Sequence, residues 1–145
     1  MKIQDIMSVE PTTVTPDTPI TEAARIMKER NIGMLPVVES GSLRLVGVVT
    51  DRDITIRHVA EGHVRDCPVR EAMTDKIATC KPDESVERVM SLMAEEQVRR
   101  IPIVDERGNL VGVVSQADIV LESGDTGSAE KTVEQISRPY GKHSD

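Results

Sequence analysis

The chain contains an internal repeat. Met7, Pro16, Asp17, Met27, Pro36 and Val38 return 66 positions later (7 to 73, 16 to 82) as Met73, Pro82, Asp83, Met93, Pro102 and Val104. The loop from Glu39 to Leu43 is one residue longer than its counterpart, so the offset then falls to 65. Val46-Gly-Val-Val-Thr50 meets Val111-Gly-Val-Val-Ser115, and Asp53 and Ile54 meet Asp118 and Ile119. In 145 residues such copies hold about 60 residues each, too few to bury an apolar face well alone, so the two are expected to pack together. The seam between related copies is then the natural place for a ligand.

Two copies leave little room for a further catalytic domain. The net charge of −7 argues against a non-specific nucleic-acid binder, which needs a basic stripe to release counterions from phosphates. Phe and Trp are absent and Tyr140 is the only aromatic, so the stacking platforms that hold single strands are missing. Seven Met serve as adaptable core filler. No apolar run approaches a bilayer span, and the N-terminus lacks the apolar stretch of a signal peptide, so a cytoplasmic location without membrane contact is expected. Cys67 and Cys80 lie outside any CxxC spacing. Cys80 reads as a small buried hydrophobe, and a reducing compartment disfavours a bridge between the two.

Thr18-Pro19 offers a capping residue followed by Pro at the first helical position, and Ile20, Ala23, Ala24 and Met27 recur at helical spacing. Val86, Val89, Met90 and Met93 take the same steps in the second copy. Each amphipathic helix precedes an extended run, Leu35–Val38 or Ile101–Val104, then a polar turn and a β-branched run, Leu45–Val49 or Leu110–Val114. The second runs do not alternate, as expected of strands covered on both faces. The early Pro in each preceding run predicts a strand start or an edge. Second helices open at Asp51, ending near Glu61 before Gly62, and at Gln116. The order per copy is β-α-β-β-α, an α/β (α+β-like) class. The domain reading is 1–62 for the first copy, 63–72 for a linker, 73–122 for the second copy and 123–145 for a flexible tail, in which Ala129, Val133 and Ile136 could make one short helix.

Each copy carries one signal at a strand-to-helix junction: Gly47-Val-Val-Thr50-Asp-Arg-Asp53 and Gly112-Val-Val-Ser115-Gln-Ala-Asp118. A hydroxyl where a helix begins, beside free backbone N–H groups and the positive end of the helix dipole, suits a phosphate. The carboxylate three residues on is acceptor-only and suits sugar hydroxyls. The Gly lets a ligand or backbone come close. The same spacing is also close to a capping box, in which the carboxylate merely reaches back to its own helix.

With these elements in order, the chain resembles the tandem cystathionine-β-synthase-type (CBS) domains, whose paired form is the Bateman module. The carrying residues are Asp5–Met7, Thr13–Asp17, Ile32–Val38 and Leu45–Ile54, with their partners Glu71–Met73, Thr79–Asp83, Val98–Val104 and Leu110–Ile119. The resemblance covers about residues 1–121. It implies two repeats packed about a pseudo-two-fold axis, a stand-alone signalling protein that forms a homodimer, and a regulatory adenosine-containing ligand in the cleft between the repeats: AMP, ADP, ATP or NAD, with S-adenosylmethionine also used in the family. Carried over, it puts the base near Thr13, Leu35 and Pro36 in one cleft and near Thr79, Ile101 and Pro102 in the other. Asp53 and Asp118 would hold ribose, and Thr50 and Ser115 phosphate. The arginines are uneven: Arg99 and Arg100 precede the second Ile-Pro where the first copy has Gly33 and Met34, whereas Arg52 and Arg57 face Ala117 and Glu122 in the second copy. Because guanidinium is the strongest side-chain partner of phosphate, unequal clefts are expected.

No nucleophile elbow, metalloprotease motif or P-loop occurs, and an enzyme is not expected. His58, His63, Asp66 and Cys67 crowd the linker, with His63 and Cys67 one helical step apart. A polar linker is the simpler reading, and no residue is assigned to a metal. The expectation is a nucleotide sensor acting on an unidentified protein target by population shift. Its alternative is a structural or protein-interaction module in which Thr50, Asp53, Ser115 and Asp118 are caps only.

Overall fold

The computed structural model describes residues 1–123; the expected tail helix around Ala129, Val133 and Ile136 lies outside them. The chain divides into two compact units, and only one is continuous in sequence. The first unit is Thr12–Ile77, while Met1–Pro11 belongs to the second, with the residues from Ala78 on. Backbone pairing explains the division. Thr74 exchanges hydrogen bonds with Val48 (2.8 and 2.9 Å), closing the first unit, and Ser8 does so with Val113 (2.8 and 3.0 Å), closing the second.

In the first unit, helix α1 (Ile20–Arg30) buries Ile20, Ala23 and Met27; Ala24 is exposed, so the apolar stripe is narrower than its composition suggests. The expected start is corrected. Pro19 itself holds the capping position with extended backbone (ψ 142°) and Thr18 does not cap; its Oγ1 instead accepts from the Thr15 amide at 3.0 Å. The helix start is met from the segment read as a linker. Asp66 accepts from the Thr21 amide (3.1 Å) and hydroxyl (2.6 Å), and the Cys67 carbonyl accepts from the Ile20 amide (2.8 Å). Asn31 ends the helix in the left-handed region (φ 53°).

Strands β1 (Met34–Val38) and β2 (Leu45–Thr50) form an antiparallel pair. Val14 flanks β1 in parallel and Thr74 flanks β2 antiparallel, so each sheet has four lines of chain. Pro36 is the middle residue of β1, not its start. It is tolerated because the Val14 segment uses only its carbonyl (3.1 Å), taking its amide bond from Val38 instead (2.9 Å). After β2, helix α2 (Asp51–Ile54) passes into a π-helical turn, Thr55–Val59. The chain then turns at Gly62 with φ +74°, close to the expected end.

The second unit repeats the plan. Helix α3 (Val86–Glu96) is capped by Ser85, whose side chain accepts from the Arg88 amide, and the Met1 carbonyl takes the Val86 amide at 3.1 Å. Strands β3 (Arg100–Val104) and β4 (Leu110–Ser115) pair antiparallel, and helix α4 (Gln116–Ser123) follows. Cys80 flanks β3 as Val14 flanks β1, and the same economy at the second Pro holds: the Cys80 amide bonds to the Pro102 carbonyl (3.2 Å). Each unit has its own core. Leu35, Val37, Val49, Val69 and Cys67 lie in the first, and Ile3, Met93, Ile101, Ile103 and Cys80 in the second. Both cysteines are free thiols.

Candidate functional site

The β2–α2 junction is set by Thr50, the last residue of the strand and the cap of the helix. Its Oγ1 accepts from the Asp53 amide (3.0 Å) while Asp53 Oδ2 accepts from the Thr50 amide (3.0 Å). Thr74 Oγ1 donates to Asp53 Oδ1 at 3.2 Å, a contact that the sequence reading missed. Spacing carries no signal for it, because Thr74 lies 21 residues from Asp53. The Asp51 amide donates to the Gly33 carbonyl (3.0 Å), which holds the entry to β1 beside the junction.

The β4–α4 junction has the same geometry. Ser115 Oγ accepts from the Asp118 amide (3.1 Å) and Asp118 Oδ2 from the Ser115 amide (3.0 Å). The Gln116 amide donates to the Arg99 carbonyl (2.8 Å), and Arg100 pairs across the sheet with Ser115. Arg99 and Arg100, both half-buried, therefore stand at this junction where the first unit has Gly33 and Met34. The two hydroxyl residues are nearly enclosed, Thr50 at 5% and Ser115 at 8% exposure, while Asp53 and Asp118 are half-buried.

The reciprocal cap is thus formed in both units, yet it does not use up the chemistry. A hydroxyl that accepts from an amide still has its own O–H to donate, and an ionised carboxylate that accepts one or two hydrogen bonds keeps further lone pairs. The cap orients both groups, and their remaining capacity suits a phosphate oxygen and ribose hydroxyls.

The remaining predicted residues are placed unevenly. Leu35, Pro36, Ile101 and Pro102 are buried in their strands; Thr13 is half-buried and Thr79 exposed, each one residue before the flanking bridge at Val14 or Cys80. Arg52 is exposed on α2. Arg57 is engaged within its own unit, donating from Nη1 to the carbonyls of Ala72 (3.1 Å) and Met73 (2.7 Å), so it braces the segment leading to Thr74. The glycines of the motif make room for backbone. A Cβ on Gly47 would lie 2.6 Å from the Thr74 carbonyl oxygen, and one on Gly112 would meet Met7 Sδ at 2.7 Å and the Ser8 carbonyl oxygen at 2.9 Å.

Among the described residues no helix is long and apolar enough to cross a membrane. The CBS domain family model matches twice, at residues 3–58 and 69–125. The CBS domain-containing protein YhcV of Bacillus subtilis is 41% identical over 135 residues, 93% of this chain and 94% of that protein. The fold is similar to the CBS domain pair of protein MJ0100 in complex with 5′-methylthioadenosine and S-adenosyl-L-methionine (TM-score 0.76, 32% identity, 87% of this chain and 98% of that one). It is similar also to CBSX2 in complex with AMP (TM-score 0.76, 25% identity, 87% of this chain and 98% of that one).

Proposed function

The chain belongs to the CBS domain family, and on that premise we propose that it is a regulatory module, not an enzyme, that binds an adenine nucleotide at its strand-to-helix junctions. The observation that carries the reading is the doubled hydroxyl–carboxylate pair, Thr50 with Asp53 and Ser115 with Asp118, each oriented by its own cap. The adenosine ligands of MJ0100 and CBSX2 support the ligand class. Ribose falls to Asp53 and Asp118, phosphate to Thr50 and Ser115, and the base to the segments around Thr13, Leu35 and Pro36 or Thr79, Ile101 and Pro102.

Arg99 and Arg100 beside Ser115 favour an anionic ligand in the second unit, so AMP, ADP, ATP or NAD suits it better than the cationic sulfonium of S-adenosylmethionine. The ligand acts by preferring one conformation of the module, or one state of a homodimer, and an unidentified protein target in the cytoplasm responds. A second reading, a protein-interaction module whose junctions are caps only, is favoured by the completeness of both capping boxes.

Calorimetric titration with AMP, ATP, NAD and S-adenosylmethionine, repeated on Asp53→Asn and Asp118→Asn, separates the two. A ribose site loses about tenfold or more in affinity with the carboxylate, as expected for a charge-assisted hydrogen bond of about 1.5–3 kcal/mol. Binding to the second unit also weakens with salt and in Arg99→Ala and Arg100→Ala. A cap-only junction loses about 1 kcal/mol of stability and shows no ligand heat at two temperatures.

A further inference from the structure

A second site lies away from the junction pairs, at the far end of the α2 stretch. His58 sits in the π-helical turn, and the chain reverses at Gly62 before passing His63 and Cys67. The ligand atoms of His58, His63 and Cys67 all lie within 4.8 Å of one another. Cys67 Sγ is 3.9 Å from His63 Nδ1, and the imidazoles of His58 and His63 stand edge to face with centroids 5.3 Å apart. Residues 63–67 are not helical, so it is the backbone reversal, tied by the His63 amide to the His58 carbonyl at 3.2 Å, that gathers the cluster. Against helical spacing alone, these residues read as a polar linker.

One atom of the cluster is anomalous. His58 Nδ1 is shut off from solvent and has no hydrogen-bond partner. A buried polar atom left in that state is costly, and an ion is one of the ordinary ways in which such an atom is satisfied.

We propose that His58, His63 and Cys67 bind a thiophilic divalent cation, Zn2+ in the first instance, as a three-residue site with a fourth position open to water or a small ligand. Two imidazole nitrogens and one thiolate form a borderline-soft donor set of the kind that zinc takes. Tetrahedral coordination at ordinary Zn–N and Zn–S lengths puts donors about 3.3–3.6 Å apart. From separations within 4.8 Å the donor atoms need to close inward by only about 1 Å, within the reach of small side-chain rotations. On binding, the Cys67 thiol passes its proton to solvent as the sulfur–metal bond forms. Asp66 stays outside the donor set because both of its oxygens cap α1 at Thr21. A metal here fastens the end of the π-helical turn to the segment that starts α1, through Asp66 and the Cys67 carbonyl. The site is independent of the nucleotide reading.

The test uses the full chain stripped by chelator, titrated with Co2+ and then with Zn2+. The expected result is a single Co2+ per chain with a thiolate-to-cobalt charge-transfer band and strong tetrahedral d–d absorption, displaced by Zn2+. Cys67→Ser abolishes the band, while Cys80→Ala, in the other unit, retains it. His63→Gln, at an exposed position that leaves the fold intact, weakens Zn2+ binding at least about tenfold, a loss already typical of disturbing a residue that merely supports a metal site. Absence of saturable binding, absence of the band, or Zn2+ affinity unchanged in His63→Gln would overturn the proposal.

Discussion

A methyl group added at Gly47 would sit 2.6 Å from a backbone oxygen, that of Thr74, whereas at Gly112 its nearest neighbour is the flexible end of Met7. Backbone cannot step aside without breaking the Val48–Thr74 pairing, but a thioether can rotate. Gly47→Ala is therefore expected to destabilise by about 2–3 kcal/mol, near the upper end of the overpacking range, and Gly112→Ala by less. Denaturant titrations of the two variants measure this directly; equal losses would show that the Ser8 carbonyl oxygen, 2.9 Å from the added carbon at Gly112, is the true obstacle there. The sequence marked both glycines as points of close approach without saying what approaches, because the partner segments lie far away in the chain. The Thr50–Asp53 and Ser115–Asp118 pairs were legible for the opposite reason. Both partners of each pair lie within four residues, so spacing alone determines their geometry. Arg57 was not legible: its engagement with Ala72 and Met73 depends on how a distant segment returns.

At the level of elements, the helices were readable from their apolar periodicity, but their starts were only partly so. α3 begins as a local rule would have it, with Ser85 capping the Arg88 amide (3.1 Å). α1 begins on Asp66, which lies 45 residues from Thr21 in sequence. Its own preceding residues, Thr18 and Pro19, contribute no side-chain cap. Asp66→Ala is accordingly expected to lower stability, in the same direction as Ser85→Ala, as for other N-cap removals. Urea midpoints of both variants provide the check; an Asp66→Ala chain as stable as the parent would mean that the Cys67 carbonyl alone suffices for the α1 start. The Pro in β1 shows a related limit. Pro36 fits mid-strand because its neighbour is a single bridge that asks nothing of its missing amide, and a short flanking segment like Val14 leaves little periodic signal of its own.

For the whole molecule, a repeat fixes how many units there are but not where each is cut, since any starting point gives the same period. Backbone pairing settles that choice. Ile3 recurs as Val69, and both are fully buried: Ile3 in the second core beside Val89 and Met93, Val69 in the first beside Leu35 and Val49. The Ile3 amide is held by the Glu84 carbonyl (2.9 Å) and the Met1 carbonyl takes the Val86 amide (3.1 Å), so the segment of residues 1–3 both fills the second core and starts α3. Ile3→Ala is expected to cost about 2–5 kcal/mol, as for a core aliphatic deletion. Hydrogen exchange should show the effect as faster opening at the amides of Ser8, Val86 and Val113, which depend on the docked segment. If Ile3→Ala melts like the parent and those amides keep their protection, the N-terminal segment is an ornament of the second unit, and residues from Ala78 on must fold without it.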